Sequence, residues 1–489
     1  MSLVEAMVQN DRVLFIQPPT SFNQTSPCLD DKQFGLGLLA NAAWLEAHGF
    51  EVHGLHVPLA LHYGFEEEDV KAFILKEDPI VIAIGLNWVH FSSGALEVAR
   101  LVKAALPRVP VYIGGQHATM FAEEIASANA PYVDGVIKGE AEHALLSICQ
   151  QVALSGKVTE DVPGLVTNRG ESVAPHVLEE MDDLPVYRYS VLKPRSLRPD
   201  AGAISTTRGA CPFKCAWCVE PVIGRLQGRR KLMFHSARRI ADQVAALMSE
   251  GITRFTIQDN FFVGGNVKLI ELSEELVRRD IRPAHLNIFA HPESYGYEGY
   301  AALAACCELA SVDFGVETGS YDVARINNRH LDREEVVLSI SEAVQAKVEP
   351  FTWWMVGLPG ESEAALRDTE QLILETMKVG GIPRWVSPMI LFPHTPIHED
   401  PTRFGVEPRF KDFEDYSKFS RATLAEAVLF SDTITHRSTG SSYEDICNAS
   451  QRLRKFIAQN LQFVEEFYET CGMQPDLKSV KGRILQSFF

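Results

Sequence analysis

The sequence predicts an α/β protein: an N-terminal doubly wound domain of Rossmann type, then a partial (β/α)6 barrel, then a helical C-terminal region. Short β-branched runs alternate with helix-length amphipathic segments from Arg12 to about residue 155. The same alternation restarts at about residue 201, after a stretch with little periodicity, and gives way to a helical pattern after about residue 410. Apolar runs separated by helices indicate βαβ units and a parallel sheet buried on both faces.

In the first half, "RVLFIQ" from Arg12, "EVHGL" from Glu51, "IVIAIGL" from Ile80, "VYIGG" from Val111 and "GVIKGE" from Gly135 read as strands. The segments "LGLLANAAWLEAHG", "EDVKAFILKE" and "ALEVARLVKAAL" read as the helices between them. A doubly wound domain is expected over 1–155, with 156–200 as a surface linker carrying Gly, Pro and charge. A second series follows: "AGAISTTRG", "RFTIQDN", "HLNIFA", "VDFGVE", "FTWWMVG" and "WVSPMILF". Six strands with intervening helices over 201–410 match part of a (β/α) barrel, which places an active site at the carboxyl ends of the strands. Residues 411–489 are expected to form a helical domain, clearest from Tyr443 to Thr470.

Composition restricts the partners. The chain has 489 residues, enough for two or three domains, and a net charge of -18. That charge repels phosphate backbones, and the longest basic run is "GRRK" near Arg229, so nucleic acid is excluded as the expected partner. Apolar stretches such as "PIVIAIGLNWV" fall short of the roughly 20 residues of a membrane span. The start "MSLVEAMVQNDRV" shows no secretory pattern, which makes the cytoplasm the expected location. Nine cysteines, an odd number, point to reduced thiols rather than a disulfide framework.

Three of those cysteines are clustered in "RGACPFKCAWCVE": Cys211, Cys215 and Cys218. Gly209 ends the preceding strand and Pro212 opposes a helical start, so the three lie on a loop at the catalytic end of the barrel. Thiolates are soft ligands, and this spacing supplies three. A structural zinc site closes its tetrahedron, and the nearest spare imidazole downstream is His235. Three cysteines on a 4Fe-4S cluster instead leave one iron open. A Cys3His zinc knuckle and a redox CxxC are the competing readings.

At these residues the sequence resembles the radical S-adenosylmethionine (SAM) superfamily, whose CxxxCxxC signature carries an aromatic before the last cysteine, as Trp217 does here. The resemblance implies that SAM chelates the open iron and that an electron from the cluster breaks its sulfonium bond to give a 5'-deoxyadenosyl radical. It also implies SAM contacts at successive strand ends. Asp259 and Asn260 in "TIQDNFF" stand where the family binds the amino group, and Glu317 in "FGVETGS" stands at the ribose. Gly357 in "WWMVGLPGE" stands beside the adenine, and Leu391 and Phe392 in "ILFPHTP" stand at its edge. Each alone also fits a core strand followed by a turn.

The first half resembles the cobalamin-binding domain that precedes the radical domain in one subgroup of that superfamily. Asn87 in "IGLNWVHFSSG", Gly114, Gly115 and His117 in "VYIGGQHAT", and Gly139 and Glu140 in "DGVIKGEAE" are the implied contacts. The loop after the first strand, "QPPTSFNQTSPCLDD", lacks the histidine of the Asp-x-His-x-x-Gly motif that ligates cobalt. His90 and His117 are read as surface or hydrogen-bonding residues rather than cobalt ligands. Cys306 and Cys307 in "ALAACCELA" are read as buried small hydrophobes of a helix, and of Trp353 and Trp354 on one strand only one can face the barrel interior.

The expected function is that of a radical SAM enzyme modifying a small molecule, with cobalamin-dependent methylation of a carbon centre as the leading reading. The expected cofactors are a 4Fe-4S cluster and SAM, with cobalamin left open, and the expected electron donor is an external one-electron reductant of flavodoxin or ferredoxin type. A cobalamin-independent radical reaction beside a vestigial first domain is the alternative. A non-enzymatic metal-binding or redox-sensing protein is the second.

Overall fold

A computed structural model describes residues 11–22, 34–171, 173–209, 211–229, 231–259, 264–421, 431–471 and 475. The chain forms two compact units. One comprises Met1–Asp200, Val222–Met233 and Lys411–Leu424, and the other Ala201–Pro221, Phe234–Phe410 and Ala425–Phe489.

The first unit is built on a seven-stranded sheet. Its strands are β1 (Arg12–Gln17), β2 (Glu51–His56), β3 (Val81–Gly85), β4 (Val111–Gly114), β5 (Gly135–Ile137), β6 (Leu165–Thr167) and β7 (Gly170–Glu171), in the order β2-β1-β3-β4-β5-β6-β7. The pairs among β1 to β5 are parallel, and β6 and β7 continue the sheet antiparallel. β3 is buried along its whole length, as a strand with helices on both faces requires. Between them run α1 (Leu36–Ala47), α2 (Val57–His62), α3 (Glu67–Glu77), α4 (Ser92–Ala105), α5 (Gln116–Met120), α6 (Ala122–Ala128) and α7 (Glu142–Ser155). α3 starts on a capping box between Glu66 and Asp69, with its acidic first turn at the positive end of the helix dipole. The chain leaves β1 for β2 on one side and β3 on the other. This switch of direction opens a crevice at the carboxyl ends of those two strands.

The stretch expected to be a linker, 156–200, belongs to this unit. It pairs β6 with β5, buries Tyr189 and Leu197 in single-turn helices and buries Leu178 and Leu192 outside them, which leaves no periodicity to read. The described residues of 411–489, expected to form a helical domain, divide between the two units. Lys411–Leu424 joins the first unit and Ala425–Phe489 the second.

The second unit holds six parallel strands in the order β15-β14-β13-β12-β11-β8. They are β8 (Gly202–Ile204), β11 (Arg254–Ile257), β12 (His285–Ala290), β13 (Leu309–Glu317), β14 (Val348–Val356) and β15 (Ile382–Pro388). The two short strands β9 (Thr207–Arg208) and β10 (Met233–Phe234) lie on either side of the cysteine loop and the helix after it, α8 (Glu220–Leu226). Each strand of the large sheet neighbours the next in sequence, and β8 and β15 are left as edges, the arrangement of an unclosed (β/α)6 barrel. The amphipathic α9 (Ala237–Met248), capped by the Ser236 hydroxyl on Arg239 N–H, follows the cysteine segment. On the barrel interior, Asp313 accepts from Arg384 Nη1 at 2.9 Å, Trp353 Nε1 at 2.7 Å and Asn287 Nδ2 at 2.9 Å. Trp353 is therefore the inward-facing member of its pair, and Trp354 is buried with its indole N–H on Thr352 Oγ1. Cys306 and Cys307 are both buried, and their thiols lie 3.2 Å from the Leu303 carbonyl. They precede β13, at the end of the barrel opposite the cysteine loop.

Candidate functional site

The loop that carries the three cysteines follows β9, with Gly209 at a φ of 119°. Cys215 is buried, and Cys211 and Cys218 are partly exposed. Burial pushes the Cys211 thiol up to about 11 and raises Cys218 further, with Cys215 adding to the rise at Cys211 and both other thiols adding to that at Cys218. Cys215 is raised by burial but drawn back by the Arg329 guanidinium, whose Nη1 is 3.9 Å from its sulfur. Such thiols stay protonated until a cationic centre binds, as expected of a metal-binding loop. Among the described residues no three His, Cys, Asp or Glu side chains converge to chelate one ion. A cubane does not need such convergence, because each cysteine takes a separate iron. Three thiols on one loop are a donor set that fits such a cluster.

The loop is held from behind by a segment that sequence reasoning missed, Asn327-Asn328-Arg329. The Asn327 carbonyl accepts Ala216 N–H at 2.9 Å, Asn328 Nδ2 donates to the Lys214 carbonyl at 2.7 Å, and Arg329 reaches both Cys215 and the Gly315 carbonyl. Asn327 is fully buried and also donates to the Pro359 carbonyl at 2.9 Å. The one sequence signal was the run "NNR" itself, polar residues after a short helix with no turn glycine. Arg329→Met should leave iron content intact and lower the midpoint potential of the reconstituted cluster by some tens of millivolts, since about 59 mV is a tenfold change in a one-electron couple. Anaerobic redox titration followed by electron paramagnetic resonance measures this. An unchanged midpoint would remove Arg329 from the electrostatics of the site.

Glu317 ends β13 beside this group. It takes a φ of 72° at a register shift between β13 and β14, a backbone cost that side-chain residues avoid unless the surroundings impose it. Its carboxylate folds back over Gly315, where an added Cβ would lie 2.8 Å from Oε1. Burial raises its pKa, and Arg329 opposes the rise. No hydrogen bond to this carboxylate is found among the described residues, so it offers acceptor lone pairs beside Cys215, suited to a pair of ligand hydroxyls.

The other expected SAM contacts are used within the protein. Asp259 accepts from Thr206 N–H at 2.9 Å, Thr207 N–H at 3.2 Å, Ser205 Oγ at 3.1 Å and the Thr206 hydroxyl, which fills its oxygens. Its carboxylate fastens the strand that leads into the cysteine loop, and an ammonium would find no lone pair there. Burial lifts it to about 6. Asn260 lies outside the described residues. Trp217 is buried in an apolar cluster with Ala216, Val323, Leu358 and Leu391 behind the loop, so it packs the loop. Gly357 donates to Glu361 Oε1 at 2.9 Å and accepts from His436 Nε2 at 2.7 Å, and a Cβ there would meet Ile446 at 2.9 Å. Leu391 N–H is taken by Thr435 Oγ1 at 2.8 Å, and the Phe392 carbonyl by the Thr395 hydroxyl at 2.7 Å.

In the first unit the Gly114-Gly115 turn ends β4. Gly115 has a φ of 123°, and a Cβ on it would strike Asn87 Oδ1 and the Leu86 carbonyl at 2.6 Å. Asn87 braces the turn by accepting Gln116 N–H at 3.2 Å. A Cβ on Gly114 would meet Ile137 at 3.8 Å, an ordinary contact, and the turn lies at the carboxyl end of the sheet, where a doubly wound sheet takes its ligand. That cradle fits cobalamin. Two of the expected contacts do not face it. Gly139 packs on Pro175 and Gln227, each within 3.4 Å of where a Cβ would stand. Glu140 is buried against Arg229, which donates from Nε and, at 2.8 Å, from Nη2, and it also accepts Leu178 N–H at 3.0 Å.

His117 and His90 are neither surface residues nor hydrogen-bonded ones. His117 is wholly buried among Phe121, Phe413 and Tyr416, with no partner among the described residues for either ring nitrogen, and His90 Nε2 likewise has none there. Burial drives His117 down to about 3 and His90 to about 4. Both are neutral in the fold and titrate near 6.5 when unfolded. Their contribution to stability is complete above about pH 6.5 and is lost as pH falls toward 4. At pH 5 each should cost about 2 kcal/mol. Urea unfolding at pH 7 and pH 5 should show this loss, and His117→Leu should reduce it. A stability independent of pH would contradict the assignment.

Comparisons with known proteins find one family model in each half of the chain. The family model of the B12 binding domain matches residues 29–148, and that of the Radical SAM superfamily matches residues 205–373. An uncharacterised methyltransferase of Pyrococcus horikoshii is 23% identical over 378 residues, covering 73% of this chain and 76% of the relative. The hopanoid C-3 methylase of Methylococcus capsulatus is 26% identical over 275 residues, 55% of this chain and 50% of that protein. The fold matches the radical S-adenosylmethionine methyltransferase TsrM of Kitasatospora setae, solved with tryptophan and a SAM analogue, at a TM-score of 0.64 and 17% identity over 82% of this chain and 79% of that one.

Proposed function

Because this chain belongs to the radical SAM superfamily and carries a B12-binding domain ahead of its radical domain, we propose that it methylates a carbon centre of a small molecule with cobalamin as methyl carrier. The carrying observation is the joint presence, in one chain, of the three-thiol loop beside Arg329 and Glu317 and of the Gly114-Gly115 turn at the carboxyl end of the first unit's sheet. The methylase names of the relatives support the reaction class.

When bound, a 4Fe-4S cluster and SAM supply a 5'-deoxyadenosyl radical, and cobalamin supplies a methyl group. The chain's residues do the rest. Cys211, Cys215 and Cys218 hold the cluster. Arg329 fixes the Cys215 thiolate and offsets its charge, and Glu317 accepts from the hydroxyls of SAM. Asp259 and Asn327 keep the loop in place, and the apolar cluster around Trp217 and Leu391 excludes water from its inner side. A flavodoxin- or ferredoxin-type protein is the proposed electron donor. Among the described residues no helix is long and apolar enough to cross a membrane.

The test is anaerobic incubation of the reconstituted protein with methyl-labelled SAM, hydroxocobalamin and a low-potential reductant. Label on the bound corrinoid together with 5'-deoxyadenosine supports methylation. Deoxyadenosine with no labelled corrinoid favours the second reading, a cobalamin-independent radical reaction. One observation speaks for that alternative: Gly139 and Glu140 are spent on contacts within the protein.

A further inference from the structure

In the second unit the interior-facing side chains of β14 and β15 are not sealed from solvent. Trp353, Met355, Trp385 and Ser387 are half-buried, while the outward-facing Trp354, Val356 and Val386 are buried. The rings of Trp385 and Phe289 lie 6.4 and 6.3 Å from that of Trp353. Met355 stands two positions nearer the carboxyl end than Trp353, about 7 Å along the strand, and packs on the apolar cluster that contains Cys215. An aromatic patch thus lines the barrel one step below the cysteine loop.

Two guanidinium groups adjoin this patch, and only one has its charge balanced. Arg384 Nη1 is 2.9 Å from both oxygens of Asp313. Arg454, on the helix Tyr443–Asn460, stands with Cζ 5.3 Å from the centre of the Trp385 ring and is 4% exposed. Its Nη2 donates to the Val386 carbonyl at 2.6 Å, and its buried Nε has no partner among the described residues. No carboxylate among those residues pairs with it, and burial lowers its pKa to about 10. A neutral donor would serve the Val386 carbonyl without burying an unbalanced charge, which is costly to the fold.

We propose that Arg454 takes the carboxylate of the substrate, and that Trp385 and Trp353 cover the apolar body beside it. One free positive charge matches a carboxylate, whereas a phosphate dianion would leave negative charge unbalanced in a buried site. This inference rests on the small-molecule reading above and narrows it to an organic acid.

Binding to the full chain tests it without turnover. The cluster is reconstituted anaerobically and left unreduced, with SAM in excess so that a carboxylate cannot occupy the open iron. In equilibrium dialysis the parent should bind 2-naphthoate roughly tenfold more tightly than the neutral 2-naphthamide, and Arg454→Gln should bind the two alike. Inorganic phosphate at equal concentration should not displace the naphthoate. In urea unfolding, naphthoate should raise the midpoint of the parent and not that of Arg454→Gln. Without ligand, Arg454→Met should unfold at no lower urea than the parent, because it removes an unbalanced charge. Equal binding of acid and amide by the parent, a preference for the acid that survives in Arg454→Gln, displacement by phosphate, or a lowered midpoint for Arg454→Met would overturn the assignment. Any of these would leave the methylation reading standing, and a failed methylation test would leave the preference for the acid untouched.

Discussion

Replacing Cys215 with alanine abolishes reductive cleavage of SAM: formation of 5'-deoxyadenosine by the reconstituted protein falls by roughly three orders of magnitude or more, a loss of about 4 kcal/mol of transition-state stabilisation. Cys215 is the buried member of the trio and the one beside Arg329, so its loss removes a ligand and leaves the guanidinium facing a cavity. Iron and sulfide content and the broad charge-transfer absorption of the cluster should fall with activity. Cys306→Ala and Cys471→Ala are the controls. Cys306 lies at the opposite end of the barrel and Cys471 is exposed on the last described helix, and both variants should keep cluster and activity. Retention of the cluster in Cys215→Ala would remove the loop from the site.

Replacing Glu140 with alanine should destabilise the first unit by about 3 to 5 kcal/mol, because it strands the Arg229 guanidinium without a counter-charge in a buried site. Side chains of the pair are 5% and 3% exposed, so solvent offers the arginine no substitute. Replacing both, with Glu140→Leu and Arg229→Met, should restore most of that stability, since a well-packed apolar pair avoids the desolvation cost of two ions. Urea unfolding followed by intrinsic fluorescence measures both. The double variant should retain hydroxocobalamin as tightly as the parent, because Glu140 faces Arg229 and Leu178 rather than the cradle at Gly114. A loss below 1 kcal/mol for Glu140→Ala would contradict the burial argument. A loss of cobalamin from the stable double variant would restore Glu140 to the ligand.

Much of the architecture was legible because it rests on periodicity. Continuous apolar runs such as "VIAIG" mark strands covered on both faces, and their spacing by helix-length segments fixes the parallel order of both sheets. The three cysteines were legible because their spacing is local. What the sequence hid depends on contacts distant along the chain. Asp259 stands where a ligand acceptor belongs, but the backbone N–H groups of Thr206 and Thr207, more than 50 positions earlier, occupy it. Arg329 is 114 positions from Cys215 and carries no motif of its own. His117 follows two glycines in a ligand-like turn, and only the packing of Phe413 and Tyr416 shows that its ring is sealed away. Likewise, 156–200 reads as linker because its buried residues sit singly in short turns.

The central claim is that Cys211, Cys215 and Cys218 hold a four-iron cube with one iron left for SAM. Mössbauer spectroscopy of iron-57-reconstituted protein, recorded before and after addition of SAM, tests it most directly. The account predicts a 4Fe-4S spectrum in which one iron of the four shifts on addition of SAM to the parameters of a higher-coordinate site. A single tetrahedral iron with a closed ligand shell, or a cube whose four irons do not respond to SAM, would contradict it.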